Sequence, residues 1–69
     1  MNINIRKSVK ENFKNNNEQE IEEAINSSIT EQSEITLPGL GVFFELVWQQ
    51  GDQTLKQSIL KLLKQSLEA

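Results

Sequence analysis

The stretch that decides the fold is Leu37–Trp48, which reads Leu-Pro-Gly-Leu-Gly-Val-Phe-Phe-Glu-Leu-Val-Trp. It holds the only proline and the only tryptophan of the 69-residue chain, with two of its three glycines and two of its three phenylalanines. Pro38 suits the first turn of a helix, because the N–H that proline lacks has no partner there. The large apolar residues that follow cover more than half of the helix circumference, so neighbouring elements must cover most of this helix. We therefore expect a central helix over 38–50.

A narrow polar strip interrupts the apolar surface of this helix and consists of Gly41, Glu45 and Gln49, with Val42 at its margin. Glu45 has two interpretations. It can pair with a cation of the first helix, Arg6 or Lys10, or it can mark the side of the helix that water reaches. We favour the second interpretation.

The two glycines of the stretch need a reason, since each costs roughly 1 kcal/mol relative to alanine inside a helix. We expect Gly39 and Gly41 to let another backbone approach closely. A Pro-Gly-x-Gly run can also suggest a phosphate-binding loop. The lysine followed by serine or threonine that such a loop requires is missing, so we do not expect phosphate chemistry.

Two helices precede the central one. Apolar residues four positions apart predict the first over 4–15, with Asn4 as its N-cap. The second is expected over 18–29, with a buried apolar stripe of Ile21, Ala24, Ile25 and Ile29. Asn17, followed three residues later by Glu20, approximates a capping box at its start.

A fourth helix is expected over 54–67. Gly51 suits the left-handed residue that often ends a helix, and Asp52 or Thr54 can cap the next one. The expected buried face consists of Leu55, Ile59, Leu62, Leu63 and Leu67. Because this helix is cationic and amphipathic, a membrane-surface helix is the alternative; we favour the core-facing one.

No segment alternates apolar and polar residues as a strand does, so the chain predicts an all-α fold. Four short helices around one core make a small single-domain bundle over 1–69. With 36% apolar residues, that core is small. A domain of this size is only marginally stable.

Charge is unevenly distributed along a chain whose net charge is −3. Residues 17–36 carry glutamates and no basic residue, whereas the first segment is basic through Arg6, Lys7, Lys10 and Lys14. We interpret this split as two neighbouring helices with complementary outer faces. The four basic residues are also candidates for a local anion contact. A DNA-coating protein needs a broad cationic footprint, which this acidic chain lacks, so weak DNA binding through the first helix is only an alternative.

The residue types that catalysis and metal binding usually need are missing. The chain has no cysteine and no histidine, which removes thiolate sites, the commonest metal ligand and the usual general base. Glu18 and Glu22 share a helix face, but it is the solvent side. We expect no enzyme, no metal or other cofactor, and no small-molecule substrate.

The start of the sequence resembles neither a signal peptide nor a transit peptide, and no apolar stretch is long enough to span a bilayer. We therefore expect a soluble protein of the cytoplasm.

The stretch Leu37–Trp48 resembles the signature of the small, acid-soluble spore proteins of type I. That signature is Leu-Pro-Gly-Leu-Gly-Val followed by two apolar residues, glutamate, two apolar residues and tryptophan. The opening Asn2-Ile3-Asn4-Ile5-Arg6 is similar to the family's Asn/Asp-Leu-Asn-Leu-Arg, and Ile25 and Ile29 occupy its apolar positions in the second helix. The similarity runs without a gap to about residue 50 and more loosely to the end.

Two positions depart from the family pattern. Asn15 stands where the family usually has glycine, and Glu31-Gln32-Ser33-Glu34 stands where it has Ser-Gly-Glu-Glu. Asparagine tolerates left-handed backbone better than most residues, so we expect Asn15 to keep that turn. The linker before Pro38 has lost its glycine.

The resemblance implies a protein of the forespore and spore core of a Gram-positive endospore former. It implies no established biochemical activity, and it is distinct from the α/β-type spore proteins that coat DNA. We therefore expect a non-enzymatic protein that acts by packing or by protein contact, with an unknown partner or a second copy of itself. The candidate interaction surface consists of Pro38, Gly39, Gly41, Phe43, Phe44, Glu45, Val47 and Trp48.

Overall fold

The computed structural model describes residues 4–68, and that part of the chain is all-α, as predicted. Its helices are α1 (Ile5–Phe13), α2 (Glu18–Glu31), α3 (Leu37–Gln50) and α4 (Gln53–Glu68). No strand occurs between residues 4 and 68. Each helix end lies within two residues of the position expected from the sequence.

Side-chain caps start the first two helices. The Asn4 side chain accepts a hydrogen bond of 2.9 Å from the Lys7 N–H. At α2, the Glu20 N–H donates to Asn17 Oδ1 at 2.8 Å, and the Asn17 N–H donates to Glu20 Oε1 at 3.0 Å. Both predicted caps are confirmed, and each satisfies backbone N–H groups that have no partner within the helix.

The left-handed residue of the described chain is Gln32, with φ 53° and ψ 32°, and not Asn15. The prediction for Asn15 is wrong because the chain turns after α1 without a left-handed residue. Lys14 remains in the right-handed region, and the Asn16 N–H then donates to the Phe13 carbonyl at 3.0 Å, which closes the turn. Gln32 stands at the linker position where the family that the sequence resembles usually has glycine.

The start of α3 is built from a turn and a proline. The Thr36 hydroxyl donates to the Ser33 carbonyl at 2.8 Å, and the Ile35 N–H donates to Ser33 Oγ at 3.2 Å. Leu37 is the first helical residue, and Pro38 lies in the first turn, as predicted.

The connection from α3 to α4 is two residues long. Gly51 has φ −72° and ψ 147°, so the prediction of a left-handed Gly51 is wrong. An extended residue suffices because α4 begins almost at once, with Asp52 Oδ1 accepting a bond of 2.8 Å from the Leu55 N–H. Thr54 lies inside the helix and does not cap it.

The core lies where α1 and α2 pack against α3. The rings of Phe13 and Phe43 meet edge to face, with centroids 5.1 Å apart. Val42, only 7% exposed, is the one buried side chain among residues 4–68. It lies at the margin of the predicted polar strip, but that side of α3 faces α1, whose Arg6 reaches Glu45, and not open solvent.

Helix α4 is poorly covered, contrary to expectation. Its expected buried face is largely in solvent, with exposed fractions of 42% for Leu55, 65% for Leu62, 45% for Leu63 and 75% for Leu67. Only Ile59 of that face is half-buried. The two-residue connection holds α4 beside α3, but open clefts remain on either side of their contact.

The loose packing also shows in the dimensions of the whole chain. Its accessible surface is 6086 Å², whereas a compact monomer of this mass exposes about 4,400 Å². Its radius of gyration is 13.4 Å, against about 11 Å expected for a compact domain of this length. The helices therefore leave much apolar surface uncovered.

The glycines of α3 provide a first test. Apart from chain neighbours and the backbone of α3 itself, no atom of the described residues lies within 4 Å of a Cβ built on Gly39 or Gly41, so the close backbone approach predicted there is absent. Gly41→Ala should therefore raise the free energy of unfolding by about 0.5–1 kcal/mol, because alanine restricts the unfolded chain and favours the helix. Urea unfolding followed by circular dichroism measures this change.

Gly51→Ala is the matched control and should have the opposite sign. A Cβ at Gly51 would lie 2.8 Å from Leu55 Cδ2 and 3.0 Å from the Val47 carbonyl oxygen. A destabilising Gly41→Ala would contradict the open space around that residue.

Candidate interaction surface

A bidentate ion pair joins α1 to α3. Arg6 Nε donates to Glu45 Oε1 at 2.6 Å, and Arg6 Nη2 donates to Glu45 Oε2 at 2.8 Å. The favoured interpretation of Glu45 as a solvent-facing marker is wrong, and the alternative pairing is what the structure shows. The parallel geometry of two N–H groups and two carboxylate oxygens fixes the orientation of the two helices.

The pair changes the proton affinity of both groups. Hydrogen bonds from Arg6 hold the pKa of Glu45 below its usual range, helped by the positive charges of Arg6 and Lys10 and opposed by partial loss of water. The same hydrogen bond raises the pKa of Arg6. Since the Arg6 side chain is 69% exposed and that of Glu45 is 35% exposed, salt should weaken their attraction.

This ion pair gives the second test, on pH dependence. Because the pKa of Glu45 is lowered in the folded state, the unfolded chain binds more protons between the two pKa values, and stability rises with pH there. The contribution should be fully present above the ordinary glutamate pKa of about 4.3 and should be lost as pH falls through the lowered value. In Glu45→Gln this part of the pH dependence should disappear.

Thermal unfolding at a series of pH values measures the effect. Glu11→Gln is the control, since Glu11 is an exposed glutamate of α1 with no ion pair within residues 4–68. Equal changes in both variants would contradict a special role for the Arg6–Glu45 pair.

The four candidates for an anion contact are not all available. Arg6 is occupied by Glu45. The other three, Lys7, Lys10 and Lys14, are exposed and lie on one side of the first helix and its C-terminal end, because they are three and four residues apart. No ion pair between α1 and α2 occurs in the described part of the chain, so their opposite charges are not joined directly.

An apolar groove of about 560 Å³ lies between α1, α2 and α3. Lys10, Glu11 and Lys14 border it. Its apolar lining consists of Val9, Phe13, Ile21, Ile25, Phe43, Leu46 and Val47. The groove is open to solvent, so the core of the bundle is continuous with the surface.

The opposite side of α3 carries a stack of aromatic rings. Phe44 and Trp48 lie parallel, 27° apart in plane and 5.9 Å between centroids, and Lys56 Nζ of α4 is 5.4 Å from the Trp48 ring. Phe44 and Val47 are each 48% exposed. The predicted surface extends over two sides of α3. Phe43 and Val47 border the groove and, with Phe44, a cleft beside α4. Glu45 and Trp48 line a second cleft beside α4.

Several exposed apolar residues were missed at the level of sequence. Ile35 is 88% exposed, and Ile29 and Leu37 are each 58% exposed. The apolar stripe of α2 predicted that Ile29 would be buried. Periodicity shows which residues share a face but not whether another element covers it, so no signal in the sequence would have found them.

The described residues offer little for chemistry. Within 4–68, no three acidic side chains are grouped as a metal site, and no buried side-chain nitrogen or oxygen lacks a hydrogen-bond partner. None of the helices in this range combines the length and the apolar composition needed to cross a membrane. What the molecule offers is apolar contact area.

Comparison with known proteins gives one consistent result. The family model of small, acid-soluble spore protein I matches residues 3–67. The chain is 39% identical over 69 residues to the small, acid-soluble spore protein I of Bacillus licheniformis, which covers 100% of this chain and 99% of that protein. It is 38% identical over 68 residues to the Bacillus subtilis protein of that name, covering 99% and 96%. The protein of Halalkalibacterium halodurans is 37% identical over 68 residues, covering 99% and 100%. No solved structure matches the chain.

Proposed function

The chain belongs to the small, acid-soluble spore protein I family, and on that premise we propose that it acts in the spore by contact with other proteins, without catalysis. The observation that carries the proposal is the exposure of large apolar side chains on three helices: Phe44 of α3 is 48% exposed, Ile29 of α2 is 58% exposed and Leu67 of α4 is 75% exposed. Exposed apolar area of this extent is typical of protein interaction surfaces.

The proposed location is the forespore and later the spore core, in its cytoplasm. Family membership supports this location. The α4 side of α3 supports contact with a protein, because stacked aromatic rings and a nearby cation are typical of interaction sites.

Binding of DNA through α1 has less support. Arg6 is already paired with Glu45. The lysines that remain lie beside an acidic α2, so the phosphate backbone would meet repulsion as well as attraction.

A photo-crosslinking amino acid in place of Phe44 tests the proposal in dormant spores. We expect discrete crosslinked products whose protein component mass spectrometry identifies. The matched control carries the same amino acid in place of Gln49, an exposed polar residue of the same helix, and should give few products. Absence of products from position 44, or production of the protein mainly in vegetative cells, would contradict the proposal.

A further inference from the structure

We propose that two copies of this chain associate through a symmetric contact in which α4 of each copy lies against α2 of the other. The inference rests on the proposed function and names the partner as a second copy.

Both helices leave apolar side chains exposed. On α4, Leu60 is 51%, Leu63 45% and Leu67 75% exposed, and their spacing of three and four residues places them on one side of the helix. On α2, Ile29 is 58% exposed and lies beside Ile25, which is half-buried near α3. Leu60 and Leu63 border only an open cleft beside α3.

The charges beside these apolar side chains are complementary. Intervals of four, three and four residues separate Glu18, Glu22, Ile25 and Ile29, so all four side chains lie on the same side of α2. Helix α2 contains no basic residue, whereas α4 carries three lysines and one glutamate, Glu68, which pairs with Lys64. Lysines of one copy would therefore face glutamates of the other, which favours this pairing over α4 on α4 or α2 on α2.

Within one chain, α4 turns a different side towards α2. Ile59 and Leu62 of α4 border a cleft with Ile25 of α2, while the short connection keeps Lys56 over Trp48 of α3. A second copy can approach the side of α4 that carries Leu60 and Leu67. If the two copies are related by a two-fold axis, both α4–α2 contacts form together, and the dimer leaves no further contact of this kind open.

The area available suits a dimer. The chain exposes 6086 Å², which exceeds the surface of a compact monomer of its mass by more than a third. A stable interface of standard size buries about 800 Å² from each partner, which is less than that excess. One contact of ordinary size would therefore remove about half of the excess surface of each copy.

Charge reversal tests the proposal on the full chain by sedimentation from micromolar to millimolar concentration. We expect the wild type to dimerise. The α4 variant, Lys61→Glu with Lys64→Glu, reverses the charge of two side chains on α4. The α2 variant, Glu18→Lys with Glu22→Lys, does the same on α2. Each variant alone should dimerise at least about tenfold more weakly than the wild type, because like charges then meet. All four positions are exposed, so circular dichroism should show folded monomers.

The decisive sample is an equimolar mixture of the two variants. In a mixed dimer both contacts again join opposite charges, so association should return to about the wild-type strength. The control mixes the α2 variant with Lys7→Glu plus Lys14→Glu, which gives the same net charge as the α4 variant but leaves α2 and α4 unchanged. This second variant should dimerise with itself, so a fluorescent label on the α2 variant reports mixed dimers alone, and these should be far fewer than with the α4 variant.

A monomeric wild type, undiminished dimerisation of either variant, or equal formation of labelled mixed dimers in the control mixture would overturn the proposal. A monomer that binds vesicles of anionic lipid through α4 would overturn it in favour of a membrane surface. If the wild type is monomeric while position 44 crosslinks to a different protein in spores, the dimer is wrong and the proposed function stands.

Discussion

Replacing Phe43 by alanine is expected to abolish cooperative unfolding of the chain at room temperature. Phe43 contacts Phe13 edge to face at 5.1 Å and borders both the apolar groove and the cleft beneath α4. Removal of a buried phenylalanine costs 3–5 kcal/mol, and since Phe43 is half-buried we expect about 3 kcal/mol. A single core in a chain of this length supplies little more than about 3–5 kcal/mol. The loss therefore approaches the whole stability.

The neighbouring residue provides the matched control. Phe44 is 48% exposed and contacts Trp48, a partner on its own helix. Phe44→Ala should cost about 1 kcal/mol, mainly through the lost ring contact. Far-ultraviolet circular dichroism during urea unfolding measures both variants. Equal losses at 43 and 44 would show that the packing of α1 on α3 does not hold the fold together.

Local features of the sequence predicted the helices correctly. The caps at Asn4 and Asn17 are hydrogen bonds to residues only three positions away, so their geometry follows from sequence spacing alone. Pro38 likewise restricts only its own turn. The family resemblance of Leu37–Trp48 is confirmed for the same reason, because a motif is a property of contiguous residues.

Features that depend on contacts between helices were predicted less well. Val42 is buried and Glu45 is paired because α1 lies along their side of α3, and the direction of that crossing is not encoded in the periodicity of either helix. The same applies to Leu63 and Leu67. Their spacing predicts an apolar face, but only the three-dimensional arrangement shows that residues 4–68 leave it largely exposed.

The turns fall between these cases. Asparagine at 15 and glycine at 51 are both able to adopt left-handed backbone, yet neither does, because the adjacent helices end and begin without it. The left-handed conformation instead occurs at Gln32, a residue type with no preference for it. The way in which α2 joins α3 thus overrides the local preference of the residue.

Gln32→Gly is therefore expected to stabilise the folded chain, although it removes a side chain. Gln32 is left-handed, and this conformation costs a residue with a Cβ roughly 1–2 kcal/mol of folding free energy. Glycine does not have this cost. Part of that gain is offset because glycine makes the unfolded chain more flexible. The net increase should be about 1 kcal/mol, which raises the melting temperature of a domain of this length by about 4–8 °C.

Gln57→Gly is the matched control, since Gln57 is exposed and lies in the interior of α4. The same substitution should there lower stability by up to about 1 kcal/mol, because glycine is a poor helix former. Thermal unfolding by circular dichroism compares the two variants with the wild type at one protein concentration, so that self-association does not shift the midpoints. A lower midpoint for Gln32→Gly would mean that the left-handed turn after α2 is absent from the molecule in solution. A higher midpoint would identify the lost linker glycine as a departure that costs this chain stability while its fold is kept.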